Sequence, residues 1–465
     1  MNQPEYLKNL VNSVPQHLAL TGRIVDWLNS PESRLPASCT TFSVEDSMEG
    51  RDGIEDSWIF TSHGLRNAAG VAIDLSKLRP KDTDNGRGLV SSGAVSFGKV
   101  YSQFNELLRR GGIFKNGSIT LFLDHNHPDC EEYLNATYAD FPWAKRAVYV
   151  DDTLKDNPLL PLIAEKVNQG VIWLAKKQWD SEGERLYSNV CQEIVLKSRG
   201  TCLIANVNLG SISNLADLIP AFEQAMLWLC QLHGVTGVGE SLQYLDPKVD
   251  RQVGLGVLGL ANMLAIHDCS YKQFVADLSR VNQKLPVDVN SVAFQLNEAY
   301  QAAAKIAESY YMDRAFTVAP TANCHRKYQD ADGFTTSPEI SPPIDYCVDR
   351  DSELFGVETY EFHPLTEIAK EVGWEIQWQL LNEYQTMMDN TGLAHAISAN
   401  LWNTFQVNED WIINTFMPSK LKTTYYRLPI VQDALDKTQV IQLDMLACPL
   451  VSPEDDPMYC QSCGG

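Results

Sequence analysis

The sequence predicts an α/β fold with a large core. Short runs of β-branched and aromatic residues recur along the chain, each beside a proline or a turn cluster, and longer stretches with helical apolar spacing stand between them. At 465 residues, 44% hydrophobic and 21% charged, the chain has ordinary globular composition and the length for one big α/β unit or two to three smaller domains.

Residues 5–30 carry helix-like spacing (Leu7, Leu10, Val11, Leu18, Leu20, Ile24, Trp27, Leu28), broken at Pro15, and predict a small helical lead-in. LPASCTTFSV after it reads as a strand with Ser38 and Cys39 near its start, and GVAIDLSKLRP (70–80) as a second. The turn-rich KDTDNGRG precedes a helical pattern over 95–110, then strand-like SITLFL. In DHNHPDCEEYL a helix is expected to start at Asp124 or at His127 to Asp129. His125, His127 and Cys130 have zinc-ligand chemistry, but His-Pro-Asp before an acidic helical turn reads better as a cap. A helical pattern over 161–176 delivers the chain to a loop holding Cys191.

TCLIANVNL is strand-like, with Cys202 near its start, and helices are expected to dominate from 215 to about 311. Within them Gly254, Gly256 and Gly259 have GxGxxG spacing. The preceding DPKVDRQV is no hydrophobic strand, so closely packed helix backbones explain these glycines better than a dinucleotide site. A short strand, 315–318, runs into the proline-led loop PTANC, where the Thr321 hydroxyl and backbone N–H groups suit an anion, especially with a helix N-terminus behind them. A Pro-rich turn (SPEISPPI), amphipathic helices and KLKTTYYRLPI complete the body. The acidic SPEDDPMYCQSCGG reads as a mobile tail.

Lys+Arg 37 against Asp+Glu 59 gives a net charge of -22, which disfavours direct nucleic-acid binding. The start lacks a signal-peptide pattern, and the longest apolar stretch, 253–266, is too short to span a bilayer, so a soluble cytoplasmic protein without membrane binding is expected. Eleven cysteines point to thiols in redox or metal chemistry and away from a disulfide framework.

The chemistry centres on SNVCQEIVL, 188–196. Read as extended, it puts Asn189, Cys191 and Glu193 on one face and Val190, Gln192 and Ile194 on the other. A carboxylate neighbour favours the protonated thiol, so the trio suits an S–H group beside a base able to take a hydroxyl proton. Cys39 and Cys202, each near the start of an apolar strand, have the placement of a dithiol facing an interior. Cys460 and Cys463 form a CxxC whose position on a tail favours thiol-disulfide exchange over zinc, for which Cys448 would be a third ligand. Tyr425 and Tyr426 are adjacent; in a strand they point to opposite faces, and two tyrosines can also stack and pass an oxidising equivalent.

Taken in order, SC at Ser38 and Cys39, NVCQE at 189–193, CLIANVNLGSI from Cys202, RQVGLGVLGLAN, APTA at 319–322, KTTYY and the tail CQSC resemble the catalytic (large, alpha) subunit of class I ribonucleotide reductase over nearly the whole chain. The resemblance implies a ten-stranded α/β barrel of two parallel five-stranded halves over 36–440, with Cys191 on a central finger loop. A short N-terminal helical segment (1–35) would precede it and a redox-active tail (441–465) follow. Cys191 would become the thiyl radical that takes the ribose 3'-hydrogen, Glu193 the base on the 3'-hydroxyl, and Asn189 a hydrogen-bonding partner of the substrate. Cys39 and Cys202 would supply two electrons and close to a disulfide, which Cys460 and Cys463 reopen before reduction by thioredoxin or glutaredoxin. Tyr425 and Tyr426 would end a radical path from a ferritin-like small subunit carrying the radical-generating metallocofactor, no cofactor being tightly bound in this chain. Ser38, Gly70, Pro320, Thr321, Ala322 and Asn323 would hold the ribonucleotide, expected as a diphosphate, and Asp46 and Arg79 a dNTP effector with Mg. A homo-oligomer is compatible with this picture.

Three departures from the family pattern stand out. Only 38 residues precede Cys39, so an N-terminal ATP-cone is expected to be absent; RRGGIFKNGS replaces a differently spaced Gly/Arg loop; and PTANC has Asn323 and Cys324 where hydroxyl residues are usual. Two alternatives remain at this level: an adenosylcobalamin-dependent reductase, disfavoured by the tyrosine pair, and a non-enzymatic nucleotide-binding regulatory subunit with a zinc-clipped tail.

Overall fold

A computed structural model describes residues 9–425 except 30–34, 85, 87, 111–117, 322–323, 353–355 and 402–406. In chain order the first half runs β1 (Leu18–Leu20), α1 (Gly22–Asn29), β2 (Cys39–Ser43), α2 (Ile54–Arg66), β3 (Gly70–Asp74), α3 (Gly93–Arg110), β4 (Ile119–Asp124), α4 (Cys130–Asn135), β5 (Lys145–Val150), α5 (Leu160–Asn168) and β6 (Trp173–Lys176). A three-stranded meander follows, β7 (Gln178–Trp179), β8 (Arg185–Ser188) and β9 (Val195–Leu196). The second half holds β10 (Thr201–Cys202), β11 (Ile204–Asn208), α6 (Leu218–His233), β12 (Gln252–Leu258), α7 (Leu260–Ile266), α8 (Tyr271–Asn282), α9 (Val292–Ser309), β13 (Arg314–Val318), the hairpin β14 (Cys347–Ser352) and β15 (Gly356–Glu361), α10 (Ala369–Val372), α11 (Trp374–Asp389) and β16 (Ala394–Ile397).

Strands β2 to β6 pair in parallel in sequence order, and β11, β12, β13 and β16 form a second parallel set. Their residues are buried on both faces, which is why KRAVYV or QVGLGVL shows no clean two-residue alternation. The two sets meet at two seams. At the first, the run 201–208 pairs antiparallel with β2 through Thr201 and Cys202, then parallel with β12. At the second, residues 422–425 lie between β6 and β16. Lys176 N–H donates to Lys422 O (2.8 Å) and Thr424 N–H to Leu174 O (2.9 Å), while Ser398 Oγ donates to Tyr425 O (2.8 Å). The ring therefore closes with ten strand positions, nine strands and the 422–425 segment, the two halves antiparallel to each other. This is the α/β barrel architecture expected, with the tenth position held by a single bridge, Ala175 to Thr423.

Several elements differ from the sequence reading. Leu18 and Leu20, expected in the helical lead-in, form β1, an antiparallel strand on β11. The helix expected over 161–176 ends at Asn168; Gly170 adopts φ 70° and the β-branched Val171 and Ile172 lead into β6. Helix α4 begins at Cys130 with Asp129 as its N-cap, within the start expected at His127 to Asp129, but the Asp129 carboxylate accepts from Lys81 and Ala94 N–H instead of capping the helix. Strands β5 and β16 had no counterpart in the sequence reading.

The glycine triplet is the sharpest correction. Gly254 and Gly256 lie in β12, a fully buried strand and no helix, and Gly259, at φ 81°, turns the chain into α7. A Cβ at Gly254 would meet Ile194 Cδ1 at 2.8 Å, and one at Gly256 would meet Asn206 Oδ1 at 2.5 Å and Thr317 O at 3.2 Å. The glycines make room for neighbouring strands and the inserted loop. Gly256→Ala should therefore lower the unfolding free energy by about 1–3 kcal/mol, read from urea denaturation; an unchanged midpoint would refute the close packing.

Candidate active site

The barrel interior is a separate cluster of buried side chains. Cys39, Cys191 and Cys202 lie in it with Phe122, Tyr149, Trp173, Val190, Ile194, Ile204 and Ala319, and Tyr425 packs against it. Cys39 thus shares one interior with Cys191 and Cys202, two thiols more than 150 residues further along the chain. None of the three is in a disulfide, and all are at most 1% exposed.

Residues 189–194 are the tip connecting β8 to β9, a tight turn and no extended segment as read from sequence. Gln192 adopts φ 66°, Asn189 N–H donates to Ile194 O (3.0 Å) and Gln192 N–H to Asn189 O (3.2 Å). Alternation therefore does not govern which side chains share a face. The turn is held from both halves of the barrel. Thr120 Oγ1 on β4 donates to Val190 O (3.2 Å), whereas Thr317 Oγ1 on β13 and Ala396 N–H on β16 both donate to Glu193 O, at 2.8 and 3.0 Å. Tyr149 Oη accepts from Ser188 N–H (2.9 Å) at the loop's start.

The other end rests on His395. Its Nε2–H donates to Val253 O (3.0 Å) and its Nδ1 accepts from Val195 N–H (3.2 Å), a pattern that fixes the neutral tautomer. Burial, reinforced by the charges of Arg314 and Lys422, holds this imidazole well below its ordinary range.

Asn189, Cys191 and Glu193 are all at most 2% exposed. Asn189 Oδ1 accepts from Ile194 N–H (3.2 Å), which fixes the amide plane, while its buried Nδ2 has no protein partner among the described residues. Both amide atoms of the buried Gln192 are likewise unpartnered there. Unsatisfied buried donors are costly, and a polar ligand would relieve them.

Cys39 and Cys202 face each other in the antiparallel register at the first seam. Cys39 N–H donates to the Cys202 sulfur (3.1 Å). Residues directly opposite in such a pair stand about 4.5–5.5 Å apart at Cα, within the range of about 4.4–6.8 Å that a disulfide spans, so the two sulfurs can bond without moving the strands. Burial, then the neighbouring Cys39 and the Glu193 charge, push the Cys202 thiol well above its usual range, so it stays S–H. Gly70 sits beside Cys39; a Cβ there would meet Val190 Cγ2 at 2.9 Å and Cys39 Sγ at 3.2 Å. Ser38, half-buried, accepts the Gly70 N–H (2.8 Å).

After β13, Pro320 is half-buried and Thr321 buried, while Ala322 and Asn323 lie outside the described residues. Among the described residues a single 3-10 turn follows, His325–Lys327, where a helix N-terminus would have suited an anion. Thr321 N–H and hydroxyl both donate to Glu339 Oε2 (3.3 and 3.0 Å), and Glu339 N–H donates back to the hydroxyl (2.8 Å). The same carboxylate accepts from Asn400 N–H and Nδ2 through Oε1 (2.8 and 2.7 Å). Glu339 thus ties the loop to the segment after β16.

Tyr425 is half-buried, with Lys145 and Trp173 beside it. Tyr426, Cys448, Cys460 and Cys463 lie outside the described residues. Asp46 and Arg79 meet in a half-exposed ion pair of 2.7 Å. Both histidines of the zinc-like trio are otherwise engaged, His125 with Asp151 and Asn157 and His127 with Leu78 O, while Cys130 is buried in the core. Sequence reasoning missed Glu339, His395, Lys145 and Gln192; the lone carboxylate inside the proline-rich SPEISPP was a legible signal, since an acid there must find donors.

Comparison with known proteins places this geometry. A family model described as the ribonucleotide reductase barrel domain matches residues 37–140 and 173–324, more than half of the chain. A vitamin B12-dependent ribonucleotide reductase of Agrobacterium fabrum is 28% identical over 115 residues, 25% of this chain and 9% of the relative. A vitamin B12-dependent ribonucleoside-diphosphate reductase of Thermoplasma acidophilum is 24% identical over 328 residues, 58% of this chain and 39% of the relative. The matches thus span well under half the length of these curated relatives. The solved alpha subunit of the Actinobacillus ureae class Id ribonucleotide reductase superposes with a TM-score of 0.65 over 92% of this chain and 93% of its own, at 15% identity, a likeness of fold.

Two variants test the supports of the site. His395 binds fewer protons folded than unfolded, so its contribution to stability is full above about pH 6.5 and declines as pH falls through that value, by up to about 1.4 kcal/mol per pH unit. His395→Gln should remove that share of the slope between pH 7 and 5 in urea denaturation, and parallel wild-type and variant curves would rule it out. Glu339→Ala strands donors on two segments and should lower the unfolding free energy by about 3 kcal/mol, with a smaller loss for Glu339→Gln.

Proposed function

This chain belongs to the ribonucleotide reductase family, and we propose that it is a class I catalytic subunit that reduces ribonucleoside diphosphates to 2'-deoxyribonucleotides by a radical route. The observation that carries this reading is the convergence of Cys39, Cys191 and Cys202 in one buried interior, with Asn189 and Glu193 on the same turn. Cys191 S–H gives a hydrogen atom to a one-electron oxidant and, as thiyl, takes the ribose 3'-hydrogen. The Glu193 carboxylate accepts the 3'-hydroxyl proton, and Asn189 Nδ2 donates to a substrate oxygen. The 2'-hydroxyl leaves as water. Cys39 and Cys202 give up two electrons and two protons in forming their disulfide, and Cys191 returns a hydrogen atom to C3'.

The remaining roles follow the resemblance in sequence. Cys460 and Cys463 reopen the disulfide by exchange and are themselves reduced by thioredoxin or glutaredoxin. Ser38, Gly70 and residues 320–323 contact the nucleotide, with Glu339 holding Thr321 in place, and Asp46 with Arg79 binds a dNTP with Mg. The metallocofactor of a ferritin-like small subunit supplies the oxidising equivalent through Tyr426 and Tyr425. The packing of Tyr425 against the interior cluster supports that route. The vitamin B12-dependent names of the curated relatives favour a second reading, in which adenosylcobalamin bound to this chain generates the radical.

Turnover assayed with candidate small subunits and, separately, with adenosylcobalamin alone distinguishes the two. Activity is expected only with a small subunit; activity with adenosylcobalamin and no partner would select the second reading. Cys191→Ser should abolish turnover in either case while nucleotide binding persists, and retained turnover would sink the radical mechanism.

A further inference from the structure

Tyr425 does not stand alone against the interior cluster. The Trp173 ring lies edge-on to it with centroids 4.4 Å apart. Lys145, the first residue of β5 and 3% exposed, puts Nζ 3.4 Å from Tyr425 Oη, 5.5 Å from the Trp173 centroid and 5.6 Å from the Tyr425 centroid. One buried ammonium therefore serves two oxidisable rings in contact.

On the reading that Tyr425 carries an oxidising equivalent inward, Trp173 is a hazard. An indole in van der Waals contact is an available side path for an electron hole. The two rings differ in what oxidation does to their charge. Indole loses an electron to become a cation radical, adding positive charge 5.5 Å from Nζ. Phenol loses its proton with the electron and ends neutral. A fixed cation opposes the first event and is nearly indifferent to the second, and at this separation the opposition amounts to roughly two orders of magnitude in population. The same ammonium donates toward Tyr425 Oη, leaving the phenol's own O–H to point elsewhere.

We infer that Lys145 is a positioning residue that orients the Tyr425 phenol and keeps the oxidising equivalent off Trp173. The hydrogen balance is simple. Tyr425 O–H loses a hydrogen atom to the Tyr426 phenoxyl that the one-electron oxidant of the partner subunit has formed, re-forming the Tyr426 O–H; the Tyr425 phenoxyl then regains one, its O–H bond forming as the Cys191 S–H bond breaks. Trp173 takes no part in either step.

The test uses the chain with the small subunit that supports its turnover, followed by steady-state kinetics and freeze-quench electron paramagnetic resonance. Lys145→Met should lower kcat by on the order of 10- to 100-fold with KM unchanged, and a tryptophan radical signal should accumulate. Adding Trp173→Phe should erase that signal and recover part of the rate, and Lys145→Arg, which keeps the charge, should stay near wild type. Trp173→Phe alone, the least disruptive change, should retain turnover; its inactivity would make Trp173 a relay and overturn the inference. Wild-type kcat in Lys145→Met, or a loss with no tryptophan signal and no recovery in the double variant, would also overturn it. Full activity in Tyr425→Phe would instead sink the underlying reading of Tyr425.

Discussion

The site depends on one insertion: a six-residue turn, Asn189 to Ile194, held inside a barrel by hydrogen bonds to its backbone. Both halves contribute, Thr120 from the first and Thr317 with Ala396 from the second. The insertion holds Glu193 through its backbone carbonyl, which accepts from Thr317 and Ala396. It also explains the glycines around the turn, since Gly70 and Gly254 stand where a methyl group would collide with Val190 and Ile194.

The antiparallel joint between the halves adds a second constraint. Within either parallel half, neighbouring strands are joined by evenly spaced bonds; only at a seam does an antiparallel register bring residues directly opposite in a close pair. Cys39 and Cys202 occupy that register, and the N–H of Cys39 goes to the facing sulfur. A dithiol placed here closes at little conformational cost, and burial keeps the Cys202 thiol protonated until it is used. The arrangement suits the proposed two-electron role better than it suits a nucleophile, which requires thiolate.

Much of the first half was legible in sequence, because β2, β3 and β4 are β-branched runs bounded by prolines and turns, and α3 carries apolar residues at helical spacing. What escaped did so for physical reasons. KRAVYV begins with two cations, and AHAI is only four residues long with a single branched side chain; both become strands because the barrel buries them, a tertiary effect. GLGVLGL read as a helical packing surface because glycine carries no strand signal, yet it is a strand whose missing side chains admit the loop. At the site, the residue types of SNVCQEIVL were readable but not their arrangement, since Gln192 in the left-handed region reverses the chain where alternation assumes it extended. Glu339 and His395 escaped because their partners, Asn400 with Thr321 and Val253 with Val195, come from remote segments.

The surroundings of Tyr425 extend the same logic from sulfur to aromatic rings. A buried ammonium against two rings is costly to desolvate. What a neutral group cannot do is distinguish an oxidation that leaves charge behind from one that does not. The cation lies over both rings at nearly equal distance, yet only the indole becomes charged when oxidised. On that inference, charge placement selects a path where distance does not, because in a low-dielectric interior one fixed charge weighs differently on two neighbouring groups.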